Sequence, residues 1–313
     1  DIEPVYGRGK RKTEIQRSYD EFLKYYEKVL EYEYWLDIID ERNSCSKTDH
    51  DATMCATKMD YYCNTGLSRP CYNAQIAVSD GVIVNAELYQ RPADSKTFIP
   101  FMERYNEYNG EYPKHPMADA GYGSFENYMY CTDKKMELDM KYSMYAKKNE
   151  PKYKKNNKYN PLLWEMNEQG YKVCPNGYVF NQYLNEKYNE DGKYLRIIQL
   201  YENKEKCEGC QFKEKCLKGR KGYKTVSRDV VLNEFYAEVD KNLSTEQGKE
   251  MKKQRSIQVE GAFGVIKQDM RFTRFTRRGL KNTRMEFLLV CIGYNLRKYH
   301  NYRIKNKKKV VVN

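Results

Sequence analysis

The chain has 313 residues, of which 40% are hydrophobic and 32% charged, and its formal net charge is +12. This composition excludes a disordered chain, and the length suits one large domain or two ordinary ones. The longest apolar run, Phe287 to Gly293, is too short to cross a bilayer, and the amino end has no apolar stretch that could serve as a signal peptide. Ten cysteines without a secretory signal predict reduced thiols in a cytoplasmic protein with no membrane partner.

Positive charge is concentrated at the carboxyl end of the chain. From Met251 to Asn313 there are 17 lysines and arginines against 3 acidic residues, whereas the preceding residues are nearly neutral. A positive excess confined to one end predicts a polyanionic partner, and nucleic acid is the first candidate. The alternative is a solvated basic tail, which is our interpretation of residues 303–313.

The first part of the chain predicts a long helix followed by a hairpin. Residues 13–40 carry apolar side chains at helical spacing, and residues 41–53 form a polar loop. Residues 72–90 alternate apolar and polar side chains on either side of Asp80-Gly81, a dipeptide typical of a tight hairpin turn. Residues 97–108 predict another helix. The apolar positions of the first helix are Ile15, Phe22, Tyr26, Leu30 and Trp35.

The stretch HPMADAGYGSFENY places a carboxylate between an apolar step and a glycine-rich turn. Met117 to Asp119 predicts a short strand, and Ser124 can cap the helix that follows. The position just past the carboxyl end of a strand is where catalytic groups collect in α/β sheets. Hairpin, helix, strand and helix in this order predict an α/β fold with a mixed sheet flanked by helices.

Residues 144–243 differ in composition from the preceding segment, because turn-forming residues are frequent and four of the cysteines cluster there. We interpret this segment as an insertion with its own local structure. Ser244 can cap a helix that continues through Lys267. A last helix, Arg284 to His300, is expected to pack into the core through one apolar side, formed by Met285, Leu288, Leu289, Ile292 and Leu296.

A second carboxylate, Glu260, falls inside the helix that ends at Lys267. Lys267 follows after nearly two turns and shares its face, and four arginines come next: Arg271, Arg274, Arg277 and Arg278. Carboxylates hold Mg²⁺, and cationic side chains contact phosphates without reading sequence. The alternative, which spacing alone favours, is an exposed helix on a basic surface. The apolar face of the helix comprises Ile257, Val259, Ala262, Phe263 and Ile266.

Four cysteines have a spacing in the sequence that suits metal binding: Cys174, Cys207, Cys210 and Cys216. Cys-x₂-Cys suits tetrahedral Zn²⁺, because two sulfurs reach one ion from a single turn. Structural zinc and unliganded reduced thiols both remain open here. The other six cysteines are interpreted as ordinary core or surface residues, and three histidines give little support to histidine-based chemistry.

Several segments, taken in order, resemble the transposases of bacterial insertion sequences, of the DDE type in the insertion-sequence-four-like superfamily. They are SKTDHDATM, YNAQIAV, ADAGYGSFENY, QVEGAFGVIK, RFTRRGLK and NLRKYH. The resemblance implies an RNase H-like fold with a cysteine-containing insertion before the final catalytic helix. It divides the chain into a helical segment and loop (1–60), the first part of the core (61–143), the insertion (144–243), the closing helices (244–302) and the basic tail (303–313).

The resemblance also implies roles for individual residues. Asp119 matches the second catalytic aspartate, Glu260 the closing glutamate and Lys267 a lysine that contacts DNA phosphate. The family arginine four residues before the glutamate is off register, because Ser256 holds that position and Arg255 adjoins it. The implied cofactor is Mg²⁺ or Mn²⁺, and the implied partners are the double-stranded DNA of the element ends and target and a second copy of the chain.

The first catalytic aspartate of that family has no clear counterpart. Asp49 and Asp51 lie in a polar loop and Asp80 in a hairpin turn, so none of them is assigned. We expect the missing aspartate upstream of Asp1, and we expect these residues alone to bind DNA without cutting it. The alternatives are a catalytically inactive DNA-binding remnant and a metal-dependent nuclease of the same fold, which cuts but does not join.

Overall fold

The computed structural model describes Gly7, Gly9, residues 11–189 and residues 192–311. Within these residues no helix combines the length and apolar content that a membrane span requires. The chain divides into two compact units: the first comprises Asp1–Gln75, Glu87–Pro92 and Arg274–Val290, and the second Ile76–Ala86, Ala93–Thr273 and Cys291–Asn313.

Helices and short antiparallel sheets alternate along the chain. The strands are β1 Thr53–Cys55, β2 Arg69–Cys71, β3 Asn73–Ser79, β4 Val82–Tyr89, β5 Gln182–Asn189, β6 Arg196–Glu202 and β7 Thr225–Arg228. The helices are α1 Glu14–Ile39, α2 Lys58–Tyr62, α3 Phe98–Asn109, α4 Phe125–Asp133, α5 Pro151–Asn156, α6 Lys204–Glu208, α7 Lys213–Leu217, α8 Val230–Ser244, α9 Glu246–Arg255, α10 Gly261–Gly264 and α11 Leu280–Val311. Single 3₁₀ turns occupy Asp94–Lys96, Lys147–Asn149 and Pro161–Leu163, and π-helical segments occupy Ser256–Glu260 and Val265–Asp269.

The predicted first helix is confirmed as α1. The Thr13 hydroxyl accepts a hydrogen bond from the Gln16 amide, 3.1 Å away, and so caps the helix. Its apolar side chains are largely exposed, and Gln16 is its one buried residue. Its apolar spacing therefore predicts the helix correctly without identifying a buried face.

The predicted hairpin is confirmed as β3 and β4. Asp80 and Gly81 both have positive φ, 50° and 77°, as a two-residue turn of type I′ requires. In the second unit the Asn295 side chain accepts a hydrogen bond from the Ile83 amide and donates one to the Ile83 carbonyl, both at 2.9 Å. These bonds fix one edge of the hairpin to α11.

The α/β composition is as predicted, whereas the predicted mixed sheet is not confirmed in the part of the chain that the structure describes, where the sheets are small. Strands β1 and β2 pair antiparallel, β3 and β4 form the hairpin, and β5, β6 and β7 form an antiparallel sheet in that order. Met117 to Asp119 is not a strand. Pro116 has no amide proton, and the Met117 amide donates locally to the His115 carbonyl at 2.9 Å. Neither residue can therefore donate to a neighbouring strand.

Helix α8 is absent from the prediction, which had a turn-rich insertion up to residue 243. It buries Phe235, Val239 and Leu243, which recur every four residues on one side. Helix α9 follows immediately, and its cap is Thr245 rather than the predicted Ser244, which ends α8. The Thr245 hydroxyl accepts from the Gly248 amide at 2.9 Å. Serine and threonine can both cap a helix, and Thr245 serves here because Ser244 is the last residue of α8.

The predicted core side of the last helix is wrong. Met285, Leu289, Ile292 and Leu296 are all more than half exposed, and Leu288 is half-buried. The buried residues are Thr283, Phe287, Cys291 and Tyr294. In the first unit Phe287 packs edge-on against Phe275, and in the second the Tyr294 hydroxyl donates to the Gly81 carbonyl at 3.1 Å. The side of α11 that is buried therefore carries aromatic and polar residues, and its aliphatic side is exposed.

The basic tail predicted for residues 303–313 is helical as far as the structure describes it, because α11 continues to Val311. Val312 and Asn313 lie outside the described residues.

Candidate active site

Asp119 lies in the loop that leads into α4. Its Oδ1 accepts a hydrogen bond from the Ala120 amide at 2.6 Å, and its carbonyl accepts one from the Tyr122 amide at 3.1 Å. These bonds make Asp119 the start of a turn, with its side chain 58% exposed. The Ser124 hydroxyl then caps α4 by accepting from the Asn127 amide at 3.3 Å, as predicted.

Gly123 lets this turn pack directly against a second backbone segment. A Cβ atom at residue 123 would lie 2.2 Å from the Lys141 carbonyl oxygen and 2.7 Å from the Tyr128 hydroxyl. No side chain fits there without movement of the backbone. The Tyr128 hydroxyl in turn donates to the Met140 carbonyl at 3.1 Å. The Asp119 loop is thereby held beside residues 140–142.

Glu260 ends a π-helical segment, Ser256–Glu260, within a continuous helical stretch from Glu246 to Asp269. Its side chain is 71% exposed. Of the predicted apolar face of this helix, Ala262 and Ile266 are buried and Ile257 is exposed. The cause is the π turn, which holds more residues than an α turn and so rotates the side chains that precede it.

Arg255 brings the two carboxylates together. Its Nη1 lies 3.9 Å from Asp119 Oδ2 and its Nη2 lies 3.7 Å from Glu260 Oε1, although 141 positions separate the two acids. The Arg255 side chain is only 13% exposed, and its buried Nε has no hydrogen-bond partner among the described residues. One guanidinium thus lies within 4 Å of both candidate catalytic acids.

Lys141 borders the same site and is absent from the sequence-based prediction. Burial lowers its pKa, and the positive charges of Arg255 and Lys252 lower it further, while Asp119 and Glu260 act in the opposite direction. Its carbonyl oxygen lies beside Gly123, four residues after Asp119 in the chain. Nothing in the local sequence distinguishes this lysine, because its proximity depends on the approach of its backbone to Gly123.

The five cations predicted to contact DNA, Lys267, Arg271, Arg274, Arg277 and Arg278, are all exposed. The phenylalanines between the arginines are half-buried. In the first unit Phe275 packs edge-on against Tyr72 and Phe287. There the amides of Thr276 and Arg277 also donate to the Glu286 carboxylate, at 3.0 to 3.1 Å. Phe275 therefore anchors residues 274–278 and leaves their arginines in solvent.

Asp49 and Asp51 have structural partners in the first unit. Asp49 Oδ1 accepts from the Gly279 amide at 3.1 Å, and Asp51 Oδ2 accepts from the Leu280 amide at 2.7 Å. Both carboxylates thus serve the amino terminus of α11, where negative charge is stabilising. The Tyr72 hydroxyl also donates to Asp49. Asp80 is an exposed residue of the hairpin turn, so the structure gives all three aspartates local structural positions.

Asp119 and Glu260 have the donor chemistry that a hard cation prefers, since both are exposed carboxylates. Across the residues that the structure describes, no group of three or more His, Cys, Asp or Glu side chains is arranged to hold a metal ion. Asp119 and Glu260 can therefore supply two of the ligands of a metal ion, and a complete coordination sphere needs others.

The cysteines separate into two groups. Cys174, Cys207, Cys210 and Cys216 line one cavity. Of the remaining six, Cys131 and Cys291 are buried in the core, Cys63 is exposed and the others are half-buried. His115 lies with its Nδ1 2.9 Å from Oδ2 of the buried Asp139.

Residues 173–300 match a family model described as the transposase DDE domain. The matched residues include Glu260, the five candidate DNA-binding cations and the four clustered cysteines, whereas Asp119 lies outside them. No curated protein matches the chain, and no solved structure does. Over the matched residues the chain is similar to the DDE domain of transposases, and this similarity supports a DDE transposase.

Proposed function

We propose that this protein is a DDE transposase that cleaves a phosphodiester at the end of an insertion sequence and joins the freed 3′-hydroxyl to target DNA. The observation that carries the proposal is the position of Asp119 and Glu260, which both lie within 4 Å of the Arg255 guanidinium. The family match over residues 173–300 supports it. In this proposal residues 61–143 and 244–302 form an RNase H-like core, and residues 144–243 are inserted into it.

Asp119 and Glu260 are the proposed metal-holding carboxylates. Mg²⁺ or Mn²⁺, when bound, would polarise the scissile phosphodiester and activate the attacking oxygen. Arg255 is a positioning residue in this scheme, because its largely buried guanidinium offsets the repulsion between two acids held close together. Lys141 adds a second positive charge beside the acids, which favours the approach of a phosphate group.

DNA is held, in this proposal, by the exposed cations of residues 267–278. Lysine and arginine contacts to phosphates fix the position of a duplex without specifying its sequence. Sequence recognition at the element ends therefore requires other contacts. The resemblance to transposases further suggests that the protein acts as a homodimer, which analytical ultracentrifugation with and without DNA would test.

The test uses the polypeptide made from the complete reading frame that contains these residues, incubated with supercoiled plasmid and labelled element ends. We expect strand cleavage that requires Mg²⁺ or Mn²⁺ and is lost in Asp119→Asn and in Glu260→Gln, with DNA binding retained. Glu246→Gln is the matched control, because Glu246 is a highly exposed acid on the same helical stretch. Normal cleavage by either site variant would reject the proposed site.

The products distinguish the proposed reaction from its alternatives. Joining of a labelled 3′-end to plasmid is expected of a transposase. Cleavage without joining would indicate a nuclease of the same fold. DNA binding without any metal-dependent cleavage would indicate an inactive remnant.

A further inference from the structure

Four thiols that the proposed function does not use line one pocket of the second unit. They belong to Cys174, Cys207, Cys210 and Cys216, and none of them forms a disulfide. Two residues lie between Cys207 and Cys210 in the sequence. Cys174 precedes them by more than thirty residues and belongs to the same unit. The fold therefore gathers around one space the same four cysteines whose spacing suggested a metal.

Tight turns present these cysteines. The Gly177 amide donates to the Cys174 carbonyl at 2.8 Å, and Gly177 has a φ of 80°, which glycine adopts without strain. The Cys210 amide donates to the Cys207 carbonyl at 3.4 Å, and Cys216 follows in the single-turn helix α7. Turns of this kind allow two sulfurs to reach one ion from a short segment.

The surroundings of the thiols form a very small core. Cys174, Cys207 and Cys216 pack against a buried cluster of Trp164, Phe180 and Val226. The adjoining strand β5 is exposed along nearly its whole length. A region with so little buried apolar area usually needs a disulfide or a metal ion to hold it together. No disulfide is present among these cysteines, so a metal ion would fill this need.

Two polar side chains lie beside the sulfurs. The Lys224 ammonium donates to the Cys216 carbonyl at 3.4 Å. Asn176 Nδ2 donates toward Cys210 Sγ over 3.8 Å. Lys224 and Asn176 therefore place a positive charge and a hydrogen-bond donor beside the sulfurs, which suits the negatively charged ligands of a metal ion.

We propose that Cys174, Cys207, Cys210 and Cys216 bind one structural Zn²⁺ with tetrahedral geometry. Within the described residues the side chains are not arranged to hold an ion as they stand. Binding therefore requires the sulfurs to turn toward the centre of the cavity, to about 2.3 Å from the metal. Four thiolates with no open position for water make a closed site, which stabilises the fold and takes no part in DNA chemistry.

The experiment measures zinc in the whole protein, produced with added zinc salt, purified under reducing conditions without chelator, and desalted. We expect inductively coupled plasma mass spectrometry to find about one Zn²⁺ per chain. The variant Cys207→Ser/Cys210→Ser should hold none, and Cys63→Ser, which changes an exposed cysteine outside the cavity, should hold as much as the unchanged protein. Cobalt exchanged into the unchanged protein should give the intense visible absorption of tetrahedral thiolate coordination.

A second measurement guards against variants that simply fail to fold. Chelator added to the unchanged, folded protein should remove the zinc and lower the melting temperature, and returned zinc should restore it. Unchanged protein that holds no zinc would overturn the proposal. So would zinc that persists in Cys207→Ser/Cys210→Ser, or cobalt spectra without thiolate character, because the ion would then lie elsewhere.

Discussion

Arg255 Nη2 lies 3.7 Å from Glu260 Oε1, although the two residues are five positions apart in one helical stretch. In an α-helix, residues at i and i+5 point to different sides, whereas i+3 and i+4 share a side. The π-helical segment Ser256–Glu260 adds a residue to the turn and brings Arg255 round to Glu260. π-Helical turns are frequently found at functional sites, in agreement with the role proposed for this pair.

The first prediction concerns Arg255 and rests on the proposed function. Arg255→Gln should lower the rate of metal-dependent cleavage by about 10²-fold, because displaced catalytic groups cost on that order. Arg255→Lys should restore part of the rate, since it keeps the charge but loses the planar fork that contacts both acids. Gel assays of cleavage, with DNA affinity measured separately, would check this. Lys249→Gln on the same helix is the control, and equal rates for Arg255→Gln and the control would contradict the prediction.

The second prediction concerns the exposed arginines. If Arg274 and Arg277 each contact a phosphate, Arg274→Ala/Arg277→Ala should reduce the slope of log affinity against log salt by about 2 for any DNA sequence. Fluorescence anisotropy across a salt series would measure that slope. Lys152→Ala/Lys155→Ala removes the same charge from exposed positions in α5 and should change the slope less. Equal slopes for the two double variants would leave Arg274 and Arg277 as solvated side chains.

The third prediction concerns Gly123. Gly123→Ala should destabilise the protein by about 1–3 kcal/mol, as overpacking does, because its Cβ would lie 2.2 Å from the Lys141 carbonyl oxygen. Gly261→Ala is the control, since a Cβ there meets nothing within 4 Å and the backbone is helical. Urea unfolding should show the control unchanged or more stable by about 0.5–1 kcal/mol. A Gly123→Ala protein as stable as the unchanged one would disprove the close approach.

The fourth prediction concerns Cys71 in the first unit. A hydrogen bond from the Cys55 thiol lowers the pKa of Cys71 to about 7. The thiolate forms as pH rises through that value, so the rate of Cys71 alkylation by iodoacetamide should rise with a midpoint near it. Peptide mass spectrometry over a pH series would measure the midpoint. Cys55→Ala should move it upward and Cys45→Ala should not. A midpoint near about 8.5 in the unchanged protein, the ordinary value for a thiol, would contradict this prediction.

Local signals in the sequence predicted local structure well. Asp80-Gly81 gave the hairpin because this dipeptide tolerates positive φ at both positions. Ser124 gave the start of α4 because its hydroxyl satisfies a free amide of the first turn. The hairpin turn and the helix start each depend on a few neighbouring residues. They can therefore be predicted from the sequence without knowledge of the fold.

Contacts between residues that are distant in the sequence could not be predicted in the same way. The strand predicted at Met117 to Asp119 needs a neighbour to accept its hydrogen bonds, and Pro116 and the local Met117 bond removed that option. The buried side of α11 was decided by partners for Phe287 and Tyr294 rather than by its aliphatic stripe. Of the candidate site, Asp119 and Glu260 were identified through resemblance. The position of Arg255 required the π turn, and that of Lys141 required the contact at Gly123.

Iron-directed backbone cleavage tests most directly the proposal that Asp119 and Glu260 share one metal site. Fe²⁺ that replaces Mg²⁺ generates hydroxyl radicals from peroxide and ascorbate, and these cut the polypeptide next to the ion. We expect two cuts, one near residue 119 and one near residue 260, both suppressed by Mg²⁺ and both lost in Asp119→Asn and in Glu260→Gln. Cutting near only one of the two residues, or a cut near residue 119 that persists in Glu260→Gln, would contradict the claim.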